Sequence, residues 1–170
     1  MEREDGAAAL AVTIRPYREG DAPVLCELFF RSVREVGPAK YDDAQVRAWA
    51  PAVPDAARWG ERMRANETYV AEHDGTAAGW IEFERNGYLD MLYCAPEFAG
   101  RGVAAQLYAY AETQARALGV TRFHTDASRF AQSFFCKHGF AVDYHEDVVR
   151  DGIVIQRARM SKTLPAPNAK

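Results

Sequence analysis

Residues 89–105 read LDMLYCAPEFAGRGVAA, and this segment is the most informative one in the sequence. An apolar segment runs into a proline, then through a turn with two glycines into an alanine-rich segment. That order predicts a buried β-strand, a tight turn and the start of a helix. Gly100 and Gly102 have no side chains, so the backbone can bend sharply there and a ligand can approach it closely.

The helix start predicted after this turn has the properties of an anion-binding site. The first backbone N–H groups of a helix have no partner within it, and the helix dipole adds partial positive charge. We therefore expect the amides of residues 100–105 to suit a diphosphate. The turn lacks the Gly-Lys-Ser/Thr ending of a nucleotide P-loop and the third glycine of a dinucleotide-binding fold. The glycines alone leave open a helix start that binds nothing.

On both sides of this segment, patterns typical of strands and of helices alternate along the chain. Asp74-Gly75 and Asn86-Gly87 are signals for two-residue hairpins, and Asp21 is the expected N-cap of the first helix. Strands are predicted at 12–15, 67–72, 78–84, 88–94, 122–126, 140–149 and 153–160, and helices at about 21–36, 42–49, 55–66, 103–118 and 131–138. This order predicts an α+β fold with a mixed, bent β-sheet of about six to seven strands, flanked by about four to five helices.

Length and composition set the class of protein. The 170 residues, 48% of them hydrophobic, predict a single domain over 1–170, with a core at about 12–162 and flexible tails at 1–8 and 164–170. A net charge of −3 gives no reason to expect nucleic acid as a partner. No apolar run predicts a signal peptide or a membrane span. Three widely spaced cysteines predict free thiols in the cytoplasm and no metal site.

Two segments resemble the motifs of a known enzyme family. The turn resembles the acyl-CoA-binding motif of the GNAT superfamily of N-acetyltransferases, Gln/Arg-x-x-Gly-x-Gly/Ala: Gly102 and Ala104 match, and Ala99 replaces the Gln/Arg. Residues 128–140 resemble the pattern Asn-x-x-Ala-x-x-Phe-Tyr-x-x-x-Gly-Phe, with Ser128 in place of Asn and Phe135 in place of Tyr. The resemblance covers about residues 12–162. The change at Ala99 removes a side chain and leaves the backbone donors in place.

The resemblance implies that acetyl-CoA is the co-substrate. In this family the pantetheine arm lies between two parallel strands that splay apart, here 89–94 and 122–126. Their unpaired backbone groups can bond the amides of the arm. The implied cofactor contacts are Leu92, Tyr93, Cys94, Gly100, Arg101, Gly102, Val103, Ala104, Ala105, Ser128 and Phe135.

The resemblance also implies direct attack of a neutral amine on the thioester, which requires a base. Asp90 is the first candidate, because it lies where a family carboxylate often sits, and we expect it to share a face of its strand with Leu92 and Cys94. Glu82 on the preceding strand is the second candidate. An ordinary solvated or salt-bridged carboxylate is the alternative interpretation of Asp90.

The leaving thiolate is often protonated in the family by a Tyr at the position of Phe135, which has no hydroxyl. Tyr144 is our candidate acid in its place. Ser133, water or no acid at all are the alternatives, because the pKa of a thiol is about 8.5. A covalent acyl-cysteine at Cys94 or Cys136 is disfavoured, since no His base lies at local spacing.

The acceptor is the least defined part of the prediction. We expect a small-molecule amine, with Glu35 and Tyr41 in the helical N-terminal part as candidate contacts. A protein N-terminus or lysine is the first alternative, and an acyl-CoA-binding sensor module without turnover is the second. A homodimer is possible, but the sequence contains no interface signature.

Overall fold

A computed structural model describes residues 8–167. Seven strands and five α-helices form this part of the chain. In chain order they are β1 (Thr13–Pro16), α1 (Asp21–Val36), α2 (Asp43–Trp49), α3 (Ala56–Ala65), β2 (Glu67–His73), β3 (Thr76–Phe83), β4 (Leu89–Cys94), α4 (Val103–Ala117), β5 (Arg122–Ser128), α5 (Gln132–Lys137), β6 (Ala141–Arg150) and β7 (Ile153–Thr163). Short 3₁₀ turns cover Gly37–Ala39 and Pro96–Phe98. The predicted α+β class and both element counts are confirmed.

The strands form two antiparallel sheets, with the orders β1-β2-β3-β4 and β5-β7-β6. The sheets meet where β4 and β5 begin, at a single parallel bridge between Tyr88 and His124. There the His124 N–H donates to the Gly87 carbonyl over 3.0 Å. Beyond this bridge no backbone ladder joins β4 and β5, so the parallel pairing of the predicted mixed sheet is reduced to one bridge, next to which the Thr125 hydroxyl donates to the Leu89 carbonyl over 2.8 Å. The two strands therefore diverge towards their carboxyl ends.

Two apolar cores pack on opposite faces of the first sheet. One contains Ile81, Phe83 and residues of α4, including Leu107. The other contains Val70, Trp80 and residues of α1, α2 and α3. Because β4 contributes side chains to both cores, it is held from both sides along the edge that faces β5.

Aspartate side chains cap the starts of two of the helices. The Asp42 carboxylate caps α2 in a reciprocal capping box with Gln45, and Asp55 caps α3. The expectation that Asp21 caps α1 is wrong. Gly20, with a φ of 94°, is the N-cap, and Asp21 begins the helix. The Asp21 carboxylate is already engaged by the Arg15 guanidinium, 2.8 Å away.

The C-terminal segment is held more firmly than expected. The buried Leu164 donates its N–H to the Thr121 carbonyl over 2.8 Å. Arg116 of α4 donates to the carbonyls of Pro165 and Ala166, each over 2.8 Å. Most of the predicted flexible tails, residues 1–7 and 168–170, lie outside the described residues. Within residues 8–167, none of the helices is long and apolar enough to cross a membrane.

Candidate active site

The glycine turn leads from β4 into α4. Gly100 and Gly102 have φ values of 72° and 82°. Residues other than Gly and Asn rarely adopt this left-handed backbone conformation. Gly102 is the N-cap of α4, and no side chain among residues 8–167 caps that helix start. The N–H groups of the first helical turn are therefore available to an external acceptor. This geometry can receive an anion.

A second contact explains why residue 102 has no side chain. The Leu10 N–H donates to the Arg101 carbonyl over 2.9 Å, and the Gln106 amide donates to the Leu10 carbonyl over 2.7 Å. This brings the chain at Ala9 against the turn. A Cβ atom at Gly102 would lie 3.1 Å from the Cβ of Ala9. Gly102 is thus needed for packing as well as for backbone conformation, whereas a Cβ at Gly100 would meet nothing within 4 Å.

A cleft of about 860 Å³ opens where β4 and β5 diverge. It begins at the glycine turn, passes between the two strands and ends among side chains of α1, α2, α3 and the β6–β7 hairpin. The predicted site residues that line it are Tyr41, Asp90, Leu92, Tyr93, Cys94, Gly100, Gly102, Val103, Ala104, Ala105, Ser128 and Phe135. The predicted residues that do not line it are Glu35, Glu82, Arg101 and Tyr144.

A β-bulge moves Asp90 to the opposite face of β4 from the one expected. Leu89 pairs with Phe83 and Met91 pairs with Glu82, so Asp90 is the extra residue on β4. Leu92 and Cys94 pack against the core that contains α4. The Asp90 carboxylate instead lies 3.8 Å from the Arg62 guanidinium of α3, on the other face. The expected register with Leu92 and Cys94 is therefore wrong, because simple alternation ignores the bulge.

Asp90 remains reachable from the cleft. Its side chain is 25% exposed, and burial raises its pKa above the ordinary carboxyl value. Arg62 opposes this rise, and the neighbouring Glu82 charge adds to it. A carboxylate with a raised pKa accepts a proton more readily near neutral pH. Asp90 is thus a carboxylate of raised pKa that lines the cleft.

Glu82 has a different environment on the neighbouring strand. It is fully buried, and its carboxylate accepts two hydrogen bonds from Arg62 over 2.8 and 3.1 Å. The Asn66 amide donates a third over 2.8 Å. These contacts hold the Arg62 side chain in one position. The Arg62 guanidinium also lies 4.5 Å from the centre of the Trp59 ring. Its contacts are those of a structural ion pair.

A second carboxylate in the cleft, Asp126 of β5, was missed in the sequence. Burial opposes its ionisation, but hydrogen bonds from Arg159 over 2.7 Å and from the Tyr88 hydroxyl over 3.0 Å lower its pKa below the ordinary value. Environments that separate the pKa values of two carboxylates often separate their roles. Asp126 stays ionised and engaged, while Asp90 is the more basic. The sequence signal was an acid in the strand predicted at 122–126, the partner of the strand that carries Asp90.

Tyr144 lies on the outer strand of the second sheet. It is half-exposed and borders a surface depression with Arg122, His124, Asp143 and Arg159. Since β7 inserts between β5 and β6, two strands separate Tyr144 from β4. Along the chain, β6 comes before β7, whereas in the sheet β7 lies next to β5. Chain order alone does not reveal this exchange of neighbours. The position gives no support to Tyr144 as the acid.

The remaining predicted residues have local partners. Glu35 is exposed and pairs with Arg31 over 3.6 Å. Ser128 lines the cleft and accepts the Ala131 N–H on its hydroxyl oxygen, and its hydroxyl is also within hydrogen-bonding reach of Tyr41. Phe135 is buried against Phe140, with ring centres 5.0 Å apart. Burial raises the pKa of the Cys94 thiol to about 12, and the nearby Ala104 N–H only partly offsets this.

Aromatic rings line the end of the cleft beyond Asp90. Phe29 lies 4.9 Å from both Trp59 and Tyr93, measured between ring centres, and Trp49 lies 6.4 Å from Tyr93. The buried Tyr41 hydroxyl donates to the Gln156 carbonyl over 3.0 Å and accepts the Arg129 N–H over 2.7 Å. These hydrogen bonds tie the β6–β7 hairpin to the helical side of the cleft. The result is an apolar chamber next to the candidate base.

Comparison with known proteins identifies relatives of the whole domain. The family described as "Acetyltransferase (GNAT) domain" matches residues 38–164. The uncharacterized N-acetyltransferase YafP of Escherichia coli K12 is 34% identical over 129 residues, which cover 76% of this chain and 81% of YafP.

Two solved structures have the same fold. A GCN5-related N-acetyltransferase from Rhodopseudomonas palustris, whose description also reads "Aminotransferase, Class-II", superposes with a TM-score of 0.86 at 30% identity, covering 92% of this chain and 98% of that one. The PaiA N-acetyltransferase of Thermoplasma acidophilum, solved with coenzyme A, superposes with a TM-score of 0.73 at 20% identity, covering 91% and 99%.

Proposed function

The chain belongs to the GNAT superfamily of acetyl-CoA-dependent N-acetyltransferases, and we propose that it transfers the acetyl group directly to the amine of a small molecule. The observation that carries this proposal is the single cleft between β4 and β5, which joins the glycine turn at one end to Asp90 and an aromatic chamber at the other. A donor and an acceptor that enter from opposite ends would meet between the two strands.

The glycine turn supports binding of the diphosphate of acetyl-CoA. The amides at the start of α4 supply donors and a favourable dipole, and Gly100 leaves open space on the cleft side. Backbone groups of Leu92, Tyr93 and Cys94 would bond the amides of the pantetheine arm where β5 has moved away, and the Ser128 hydroxyl would donate a further hydrogen bond. Coenzyme A in the Thermoplasma acidophilum relative is consistent with this assignment.

Asp90 supports the chemical step as the base. The amine nitrogen attacks the thioester carbonyl carbon, the C–S bond breaks, and the coenzyme leaves as a thiolate. Asp90 accepts the proton that the amine loses, directly or through a water molecule. Since the pKa of a free thiol is about 8.5, the thiolate can leave without a tyrosine at the position of Phe135.

The state of Cys94 supports direct transfer over an acyl-cysteine intermediate. A nucleophilic cysteine acts as its thiolate, and a low pKa favours that form. Burial instead raises the pKa of Cys94 to about 12. The small side chain fills space beside the arm and leaves the thioester to the amine.

The walls of the acceptor chamber favour a small molecule over a protein chain. They come from α1, α2, α3 and the β6–β7 hairpin, and the hairpin is held by Tyr41 and by the Gln45 amide, which donates to the Val154 carbonyl over 3.0 Å. A peptide segment would need an open groove, whereas this chamber is enclosed on several sides. Acetylation of a protein N-terminus or lysine is therefore the second choice.

The test is release of free CoA thiol from acetyl-CoA in the presence of a panel of small amines and of peptides with free N-termini or lysines. We expect release with at least one small amine at a rate well above hydrolysis alone. Release only with peptides would move the acceptor to the protein class. Tight CoA binding without release for any acceptor would show a binding module and contradict the proposal.

A further inference from the structure

Two arginines line the cleft, and only one of them has a partner. Arg157 donates to Glu146 over 2.6 Å and lies 3.8 Å from Asp126. The guanidinium of Arg150 has no hydrogen-bond or ion-pair partner among residues 8–167, although the backbone of Arg150 pairs with Ile153 in the hairpin. A guanidinium keeps its charge at any pH relevant to proteins and presents donors in a planar fork that matches a carboxylate. Arg150 thus offers an uncompensated cation to whatever occupies the chamber.

The hairpin register directs Arg150 to the cleft. Arg150 alternates with Val148 on β6, and both line the cleft together with Ile155 of β7. Val149, between them, is 65% exposed on the other face. The hydrogen bonds from Tyr41 and Gln45 to the backbone of β7 fasten this hairpin to the helical side. Arg150 is therefore carried on an anchored wall of the chamber.

Tyr93 lies within the electrostatic reach of both Asp90 and Arg150. Burial raises the pKa of its hydroxyl, the Asp90 charge raises it further, and the Arg150 charge lowers it. Around Tyr93 stand the rings of Phe29 and Trp49. The chamber thus brings a carboxylate that can take a proton from an amine, a free cation and a group of aromatic rings together around Tyr93.

Resting on the proposed function, we infer that the acceptor is an amino acid with a large apolar side chain, whose carboxylate is bound by Arg150 while its α-amine is presented to Asp90. The aromatic rings take the apolar side chain. A guanidinium–carboxylate contact strengthens binding more than a contact between neutral groups does, so an amine without the carboxylate is a poorer acceptor.

The test compares L-phenylalanine with 2-phenylethylamine, which lacks only the carboxylate, at saturating acetyl-CoA and fixed low ionic strength. We expect the Arg150→Gln variant to lose at least about tenfold in kcat/KM for phenylalanine while 2-phenylethylamine changes little. Arg150→Lys, which keeps the charge without the fork, should fall between wild type and Arg150→Gln. Arg58→Gln, at an exposed arginine outside the cleft, is the matched control and should leave both acceptors unchanged.

Three results would overturn the inference and are distinguishable. An unchanged ratio of the two kcat/KM values in Arg150→Gln removes Arg150 from acceptor recognition. Turnover of other amines in the panel but of neither test compound rejects the acceptor class and leaves the proposed function standing. Absence of thiol release with every amine rejects both.

Discussion

The two halves of the cleft are built in different ways. The half at the glycine turn comes from one continuous segment, residues 89–105, and offers main-chain amides that no side chain caps. The acceptor half comes from side chains as far apart in the chain as Phe29 and Arg157, carried on helices and on a distant hairpin. A site made of backbone depends little on side-chain identity, whereas a site made of side chains changes with each substitution. The first half therefore defines the family and the second half defines the individual enzyme.

The largest expected effect is on kcat and concerns Asp90, the proposed base, which lies between the two halves of the cleft. Asp90→Asn keeps the shape of the side chain and removes its ability to accept a proton, so we expect kcat to fall by about 10² or more. CoA affinity, measured by calorimetry, should stay unchanged because Asp90 is not part of the glycine turn. Asp74→Asn, at an exposed hairpin position, is the matched control.

The pH dependence sharpens the same prediction. Because burial raises the pKa of Asp90, wild-type kcat should fall as the pH drops through a value above the ordinary carboxyl range. Above that pKa the carboxylate is ionised and active. Asp90→Asn should lose this acid limb. An identical limb in the variant would assign it to another group and remove Asp90 from the mechanism.

The next effect tests the backbone half by charge alone. Gly100→Asp and Gly100→Asn bring nearly the same shape and the same left-handed backbone strain into open space, and they differ by one negative charge. We expect Gly100→Asp to weaken CoA binding by about 10² relative to Gly100→Asn, because the carboxylate repels the diphosphate at close range. Equal affinities would place the diphosphate elsewhere. Gly102→Asp should also abolish binding but is a less clean test, because its Cβ meets Ala9.

Glu82→Gln separates structure from chemistry on the acceptor half. The substitution breaks a buried, hydrogen-bonded ion pair with Arg62, so we expect the free energy of unfolding in urea to fall by about 2–3 kcal/mol. The folded variant should keep most of the kcat that Asp90→Asn loses. Glu61→Gln, on the exposed side of α3, is the control. A large loss of kcat with unchanged stability would instead make Glu82 the base.

The smallest effect restores the family residue at the turn. Ala99→Gln adds an amide side chain at the edge of the cleft, and one further hydrogen bond should tighten CoA binding by about threefold. Ala57→Gln, on an exposed face of α3, is the control and should leave the CoA affinity measured by calorimetry unchanged. Unchanged affinity in Ala99→Gln would mean that the backbone amides already supply all of the contacts at that end.

Sequence reasoning succeeded where the physical cause is local. The strand, the glycine turn and the helix start follow from consecutive residues, and the helices predicted at about 42–49 and 55–66 are present as α2 and α3. It failed where the cause is tertiary. The bulge that turns Asp90 away from Leu92 depends on pairing with β3, and the distance of Tyr144 from β4 depends on β7 inserting beside β5. Asp126 and Arg150 line the cleft only because the two sheets and the β6–β7 hairpin come together there, and this arrangement cannot be read from the local sequence.

A crystal structure with bound CoA tests the central claim most directly. We predict that the diphosphate oxygens lie within hydrogen-bonding distance of the amides at the start of α4, that the arm passes between β4 and β5, and that the thiol ends beside Asp90 and Phe135. A coenzyme whose diphosphate lies away from that turn, or whose arm leaves the gap between the strands unfilled, would contradict the account.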